Sequence, residues 1–103
     1  MLLRLVFYFH LHLKVVLLSI FMKYVLTDHA KKRITKRQIR AQWIEDTLTY
    51  PVRIESDHED SELLHALRPI AEHGFRVLRV IYNETVNPVA IVTAYFDDEV
   101  KDL

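Results

Sequence analysis

Hydrophobic and polar positions divide the chain into an apolar start, a helical middle and a strand-forming second half. Residues 23–27 are typical of a short strand, and residues 28–49, without proline or glycine, predict helix. Thr27 and Asp28 supply capping oxygens, a break is expected at residues 38–40, and Pro51 ends the helical part. Apolar residues at helical spacing predict a core-facing stripe. Its members are Ala30, Ile34, Ala41, Trp43, Ile44 and Leu48.

The second half alternates apolar and polar residues and is rich in β-branched and aromatic side chains, a pattern typical of strands. We expect Pro69 to close the second strand, because proline lacks the backbone N–H that a ladder uses. Turns are expected at residues 70–74 and 83–88, and residues 97–103 form an acidic tail. The predicted strands cover residues 52–57, 63–68, 75–82 and 89–96.

Residues 1–21 differ from the rest, since 16 of the 21 are apolar and none is acidic. Lys14 interrupts this run, whereas a spanning helix needs about 20 apolar residues. No small-residue cleavage site of a signal peptide follows it. Three interpretations stay open: an extension before a domain at 22–96, a membrane anchor, or an additional strand or helix. The predicted location is cytoplasmic, with membrane association as the alternative.

Composition excludes several kinds of site. The chain has one glycine, which excludes glycine-rich phosphate loops, and no cysteine, which excludes disulfides, thiolate metal sites and a cysteine nucleophile. His58, His65 and His73 lack a recognised metal-ligand spacing. We therefore predict no metal and no cofactor.

The net charge of zero hides a strong segregation of charge. Residues 23–40 contain seven basic residues and one acid, whereas residues 45–62 contain seven acids and one arginine. Two interpretations follow. Either the basic helix binds a polyanion, because fields act locally within about 10 Å at physiological salt, or it forms surface ion pairs with the acidic segment.

Candidate chemistry lies on the first helix and the last strands. His29, Arg33 and Arg37 are spaced by four and share a helical face that suits phosphate, with His29 as the proton-transfer group. Tyr95 is a candidate general acid or stacking platform. The alternatives are structural: a packed helix-start histidine, solvent-facing arginines and a packed tyrosine. The candidate nucleic-acid-binding residues are Lys31, Lys32, Arg37, Arg40, Arg68, Arg76 and Arg79, of which Arg76 and Arg79 should point to opposite faces.

The run from Tyr24 to Ile39 resembles the opening of domain of unknown function 4258. That family has a short strand, His-Ala, an arginine four residues later, a second arginine four further on, and an isoleucine starting the second helix. The matching residues are His29, Ala30, Arg33, Arg37 and Ile39, followed by Pro51 and the Thr93-Ala94-Tyr95 of the last strand. A glycine usual after the second arginine is Gln38 here.

The resemblance implies an α+β fold similar to the RelE/ParE toxin superfamily, with two helices packed on a small, mainly antiparallel sheet. Relatives on that fold include ribosome-dependent ribonucleases and gyrase poisons, both held inactive by an antitoxin. It therefore implies a toxin-like domain that binds or cleaves RNA without metal, with His29, Arg33 and Tyr95 as catalytic residues. The expected partners are RNA or the ribosome and a cognate antitoxin. The alternative is a non-enzymatic module whose basic helix docks an acidic partner.

Overall fold

The computed structural model describes residues 24–103, and these form two helices and five strands. Helical periodicity and β-branched runs each produce the kind of element that the sequence predicts, with ends that differ by a few residues. The elements are β1 (Val25–Leu26), α1 (Asp28–Lys36), α2 (Ala41–Thr49), β2 (Arg53–Ser56), β3 (Leu63–Ile70), β4 (Arg76–Asn83) and β5 (Ala90–Phe96). The predictions for residues 1–21 lie outside the described residues.

The strands form one sheet in the order β1-β5-β4-β3-β2. β1 pairs with β5 in parallel, and every other neighbouring pair is antiparallel. The predicted α+β class, with two helices on a mainly antiparallel sheet, is confirmed. Neither helix in residues 24–103 has the length and apolarity that crossing a bilayer requires.

The helices cover one face of the sheet and enclose the core between them and β3, β4 and β5. Four members of the predicted stripe are buried, whereas Ala41, also expected there, is exposed. The stripe assumed one continuous helix, but α2 begins anew at Ala41, and its buried side consists of Trp43, Ile44, Thr47 and Thr49, which leaves Ala41 outside. The core residues are Ala30, Ile34, Ile39, Trp43, Ile44, Ile70, Leu78, Val80, Ile91 and Ala94.

The break between the helices is a Schellman motif, which satisfies helix-end carbonyls through a left-handed residue. Gln38 takes that conformation with φ +55°. Its N–H donates to the Thr35 carbonyl at 3.1 Å, and the Ile39 N–H donates to the Ile34 carbonyl at 3.1 Å. Ile34 and Ile39 are both buried, so the motif closes with an apolar contact. The predicted break is confirmed, and it turns α2 back onto the sheet.

Pro69 does not close β3, which continues to Ile70 with Pro69 opposite Val77 of β4. The reason is the length of the neighbouring strand. β2 starts opposite Leu67 at Arg53, so no strand lies beside Pro69 on that side. The N–H that proline lacks would point to this open side, and β3 loses no ladder hydrogen bond.

We expect Gln38→Gly to raise the free energy of unfolding by about 0.5–1 kcal/mol, because glycine adopts the left-handed conformation without steric cost. The same substitution at Gln42, in the exposed first turn of α2, should lower it by about 1 kcal/mol. Urea unfolding of both variants measures the difference. If both variants were less stable than the parent protein, that result would contradict the inference that the left-handed conformation of Gln38 is strained.

Candidate functional site

Helix α1 presents the predicted basic row. The Thr27 hydroxyl oxygen accepts a hydrogen bond from the Ala30 N–H at 3.1 Å and caps the helix. Ala30 and Ile34 face the core, which turns the row of His29, Arg33 and Arg37 along the side of the helix. His29 and Arg37 are exposed and Arg33 is half-buried. The first helical stretch therefore offers one imidazole and two guanidinium groups along one side.

Arg37 brings this row to the last strand. Its Nη1 donates to the Ala94 carbonyl at 2.8 Å and lies 3.4 Å from the Thr93 hydroxyl oxygen. The guanidinium carbon lies 5.7 Å from the centre of the half-buried Tyr95 ring. This contact exists because β1 pairs only with the first two residues of β5, which leaves later β5 carbonyls without a strand partner. Arg37 and Tyr95 are thus brought together.

The cations of α1 have no carboxylate partner. None of the ion pairs within residues 24–103 involves Lys31, Lys32, Arg33, Lys36 or Arg37. Residues 1–27 contain no Asp or Glu at all, so the preceding segment supplies no carboxylate either. Among the described residues, the acidic segment does not neutralise the basic helix. The positive charge of α1 faces solvent.

The strand arginines are arranged differently, and Arg79 is the clearest case. Its side chain is only 11% exposed on the sheet face opposite the helices. Nη1 donates to Glu55 Oε1 at 2.7 Å and Nε donates to Asp97 Oδ2 at 3.0 Å. Nη1 also lies 2.9 Å from Nδ1 of His65, whose Nε2 is 2.7 Å from Asp57 Oδ1. Because Arg79 only donates, His65 carries its proton on Nε2 and donates to Asp57.

These contacts shift the acidity of the groups that make them. Hydrogen bonding from Arg79 holds the pKa of Glu55 below its ordinary 4.5. The hydrogen bond from His65, with those from the Asp60 and Glu59 N–H groups, lowers the pKa of Asp57 from 3.8. Burial alone lowers the pKa of Arg79, but Glu55 and Asp97 outweigh it and raise that pKa. All three groups are charged at neutral pH.

The other predicted arginines also contact groups of the protein itself. Arg76 forms a two-pronged pair with Asp98, both contacts at 3.0 Å, and its guanidinium carbon lies 4.9 Å from the Phe96 ring centre. Arg40 lies 3.4 Å from Glu72, and Arg68 donates to the Tyr50 carbonyl at 2.7 Å. The predicted opposite faces of Arg76 and Arg79 are confirmed by the register of β4. Their roles toward nucleic acid stay predictions.

Two parts of this arrangement were missed from the sequence. The Thr93 hydroxyl and the Ala94 carbonyl position Arg37, 56 and 57 residues away along the chain. Glu55 and Asp97 neutralise the strand arginine Arg79, and Asp57 pairs with His65, so none of the three pairs with the basic helix. No local signal could have identified these partners, since each pair spans several elements. In the part of the chain that the structure describes, no three His, Asp or Glu side chains are grouped to hold a metal ion.

One family matches the chain. The family described as Domain of unknown function (DUF4258) covers residues 26–96, which is more than half of the 103 residues. The chain belongs to the DUF4258 family. The matched span of this DUF4258 domain runs from β1 to the end of β5 and contains the α1 row, Arg37 and Tyr95. No curated protein and no solved structure matches it.

The lowered pKa values of Glu55 and Asp57 predict how stability depends on pH. A carboxyl whose pKa is lower in the folded state stabilises the fold fully above its unfolded pKa and loses that effect as pH falls through the folded value. We therefore expect the urea midpoint to fall progressively below about pH 4.5. Glu55→Gln should be less stable at pH 7 and should lose less on acidification. An equal loss in Glu55→Gln and the parent protein would contradict this role of Glu55.

Proposed function

We propose that this DUF4258 domain binds single-stranded RNA along α1, as a toxin-like RNA-binding domain. The observation that carries the proposal is the set of α1 cations without carboxylate partners, placed beside the Arg37–Tyr95 contact. The phosphate backbone dominates the affinity of proteins for nucleic acids, and lysine and arginine supply that affinity. A basic helix without carboxylate partners among the described residues suits such a ligand.

The spacing of the α1 row supports an extended strand. Side chains four residues apart on a helix are displaced by about 6 Å along its axis. His29, Arg33 and Arg37 therefore follow one another along the helix in steps that suit successive phosphates. Arg37 is held by the Ala94 carbonyl through Nη1, which fixes its position and leaves its other N–H groups as donors.

Tyr95 favours RNA over an acidic protein. An aromatic ring beside cations is the arrangement with which proteins bind single strands, since bases stack on the ring while phosphates meet the cations. An acidic protein surface would need the cations but would gain nothing particular from the ring. The half-buried Tyr95 lies at the Arg37 end of the row, where both contacts are available to one nucleotide.

The row of His29, Arg33 and Arg37 also supports RNA cleavage as part of the proposal. His29 is exposed and has no hydrogen-bond partner within residues 24–103, so its ring nitrogens are accessible to a ligand. In metal-independent cleavage, His29 takes the proton of a ribose 2′-hydroxyl as its oxygen attacks the adjacent phosphorus. Arg33, one turn along the helix from His29, stabilises the added negative charge, and a water molecule protonates the departing 5′-oxygen. Arg37 and Tyr95, about 12 Å from His29 along the helix, hold the neighbouring nucleotide. The products are a 2′,3′-cyclic phosphate and a 5′-hydroxyl.

Neutralising α1 should weaken RNA binding and reduce its dependence on salt. For single strands the salt slope changes by about 0.7 for each phosphate contact, so the double variant Lys31→Gln and Lys32→Gln should lose about 1.4 from it. Fluorescence anisotropy with a short labelled RNA over a series of KCl concentrations measures the slope and the affinity.

The matched control removes two charges that carboxylates already compensate. Arg40→Gln with Arg76→Gln should leave the slope nearly unchanged, because Glu72 and Asp98 neutralise these arginines. Equal losses in both double variants would show that only total charge matters and would contradict an α1 site. Competition by polyglutamate as strong as that by unlabelled RNA would favour the acidic-partner alternative instead.

The effect of expression on bacterial growth tests the proposed cleavage of RNA. Induced expression of the full chain in a bacterial host should slow growth and shorten mRNA lifetimes, and His29→Ala or Arg33→Ala should restore both. His58→Ala, which removes an exposed histidine from the acidic loop, should remain as toxic as the parent. Normal growth and intact mRNA on expression of the parent chain would contradict cleavage while leaving the binding assay to decide the RNA site.

A further inference from the structure

The outer edge of β2 carries an exposed apolar row. β2 is the last strand of the sheet, and within residues 24–103 no strand pairs with its outer side. The helices pack over β3, β4 and β5, so neither helix of the described residues packs over β2. Tyr50, Val52 and Ile54 are 50%, 51% and 52% exposed there. The unpaired N–H and C=O groups of such an edge are a template for pairing with another chain, and charges on the edge oppose that pairing where like charges meet.

The backbone of β2 sets which residues can make that pairing. The Asp57 N–H donates to the Leu63 carbonyl at 3.2 Å, so the backbone groups of Asp57 and Glu55 point toward β3. Backbone direction alternates along a strand, which points the N–H and C=O of Ile54 outward. No strand within residues 24–103 uses these groups, so Ile54 can exchange two hydrogen bonds with an added antiparallel strand.

The charges beside Ile54 select one register. If two copies of β2 pair antiparallel with Ile54 opposite Ile54, Arg53 lies opposite Glu55 of the partner subunit, and Glu55 lies opposite Arg53 of the partner subunit. If Glu55 lay on the two-fold axis instead, it would lie opposite Glu55 of the partner subunit. If Arg53 lay there, it would lie opposite Arg53 of the partner subunit. Opposite charges across strands stabilise a pair and like charges destabilise it. Within one chain Arg53 Nε already lies 3.0 Å from Glu55 Oε2, and the two side chains stay 38% and 37% exposed, so each can also face its opposite charge on the partner strand.

We propose that two copies of this chain associate through antiparallel β2 edges, with Ile54 on the two-fold axis. The association joins the sheets into one of ten strands and brings the Val52 and Ile54 side chains of both copies together on the helix side. Because β1 and β2 are opposite edges of the sheet, each α1 stays at an outer end. With strands about 4.8 Å apart, the two basic helices lie roughly 40 Å from each other. The proposal does not depend on RNA binding.

Light scattering of the full-length protein, measured over a dilution series, tests the association. We expect a dimer whose dissociation constant rises by about tenfold or more in Ile54→Lys, which places a charge at the centre of the edge. Val25→Lys places the same charge on the opposite edge strand, at a residue 48% exposed, and should leave the dimer intact. A monomer at every concentration, or a dimer equally stable in Ile54→Lys, would overturn the proposal.

Cysteine cross-linking tests the register, and the chain has no cysteine of its own to interfere. Opposed residues of a hydrogen-bonded pair have Cα atoms about 5.5 Å apart, a separation that a disulfide spans. Ile54→Cys should therefore form a disulfide-linked dimer on mild oxidation. Val52→Cys should not cross-link with itself but should cross-link with Ser56→Cys in a mixture. Self-linking of Val52→Cys as fast as that of Ile54→Cys would contradict the register.

Discussion

The ion pairs of Arg79 determine where this domain exposes its charge. A guanidinium that is only 11% exposed on a sheet face requires carboxylates nearby, since an unpaired charge there would be costly. Glu55 from β2 and Asp97 from the end of β5 meet this requirement, and His65 links Asp57 to the same group. The network spans the sheet from its β2 edge to β5. It holds these acidic residues on the sheet face opposite the helices, away from α1.

The consequence is a chain of zero net charge whose α1 cations lack carboxylate partners among residues 24–103. Asp98 and Glu72 are committed in the same way, to Arg76 and Arg40. Charges are screened beyond about 10 Å at physiological salt, so the nearby surface, not the net charge, decides what a ligand meets at α1. The exposed pairs of Arg40 and Arg76 contribute little to stability, and their main effect is that Glu72 and Asp98 are already paired.

Local features of the fold could be predicted from the sequence, and non-local ones could not. The helix break at residues 38–40 and the strands of the second half follow from capping chemistry and periodicity, which act within a few residues. The continuation of β3 through Pro69 depends on where β2 starts, and the exposure of Ala41 depends on the direction of α2. The charge pattern predicted segregation correctly. It left two interpretations open, because the carboxylates that pair with Arg76 and Arg79 lie 18 to 24 residues away along the chain.

The two edges of the sheet differ in whether their outward backbone groups are occupied. This difference places the proposed RNA surface and the proposed dimer contact at opposite edges. Along β5, beyond the short β1, the Thr27 N–H, the Thr27 hydroxyl and Arg37 meet the carbonyls of Ile91, Val92 and Ala94. These contacts occupy acceptors that a further strand would use, so this edge is closed to strand addition and offers the basic surface instead. β2 has no such cover among the described residues, and its opposed charges around Ile54 make it complementary to itself. A single sheet can therefore bind a polyanion at one edge and a second copy at the other without competition between them.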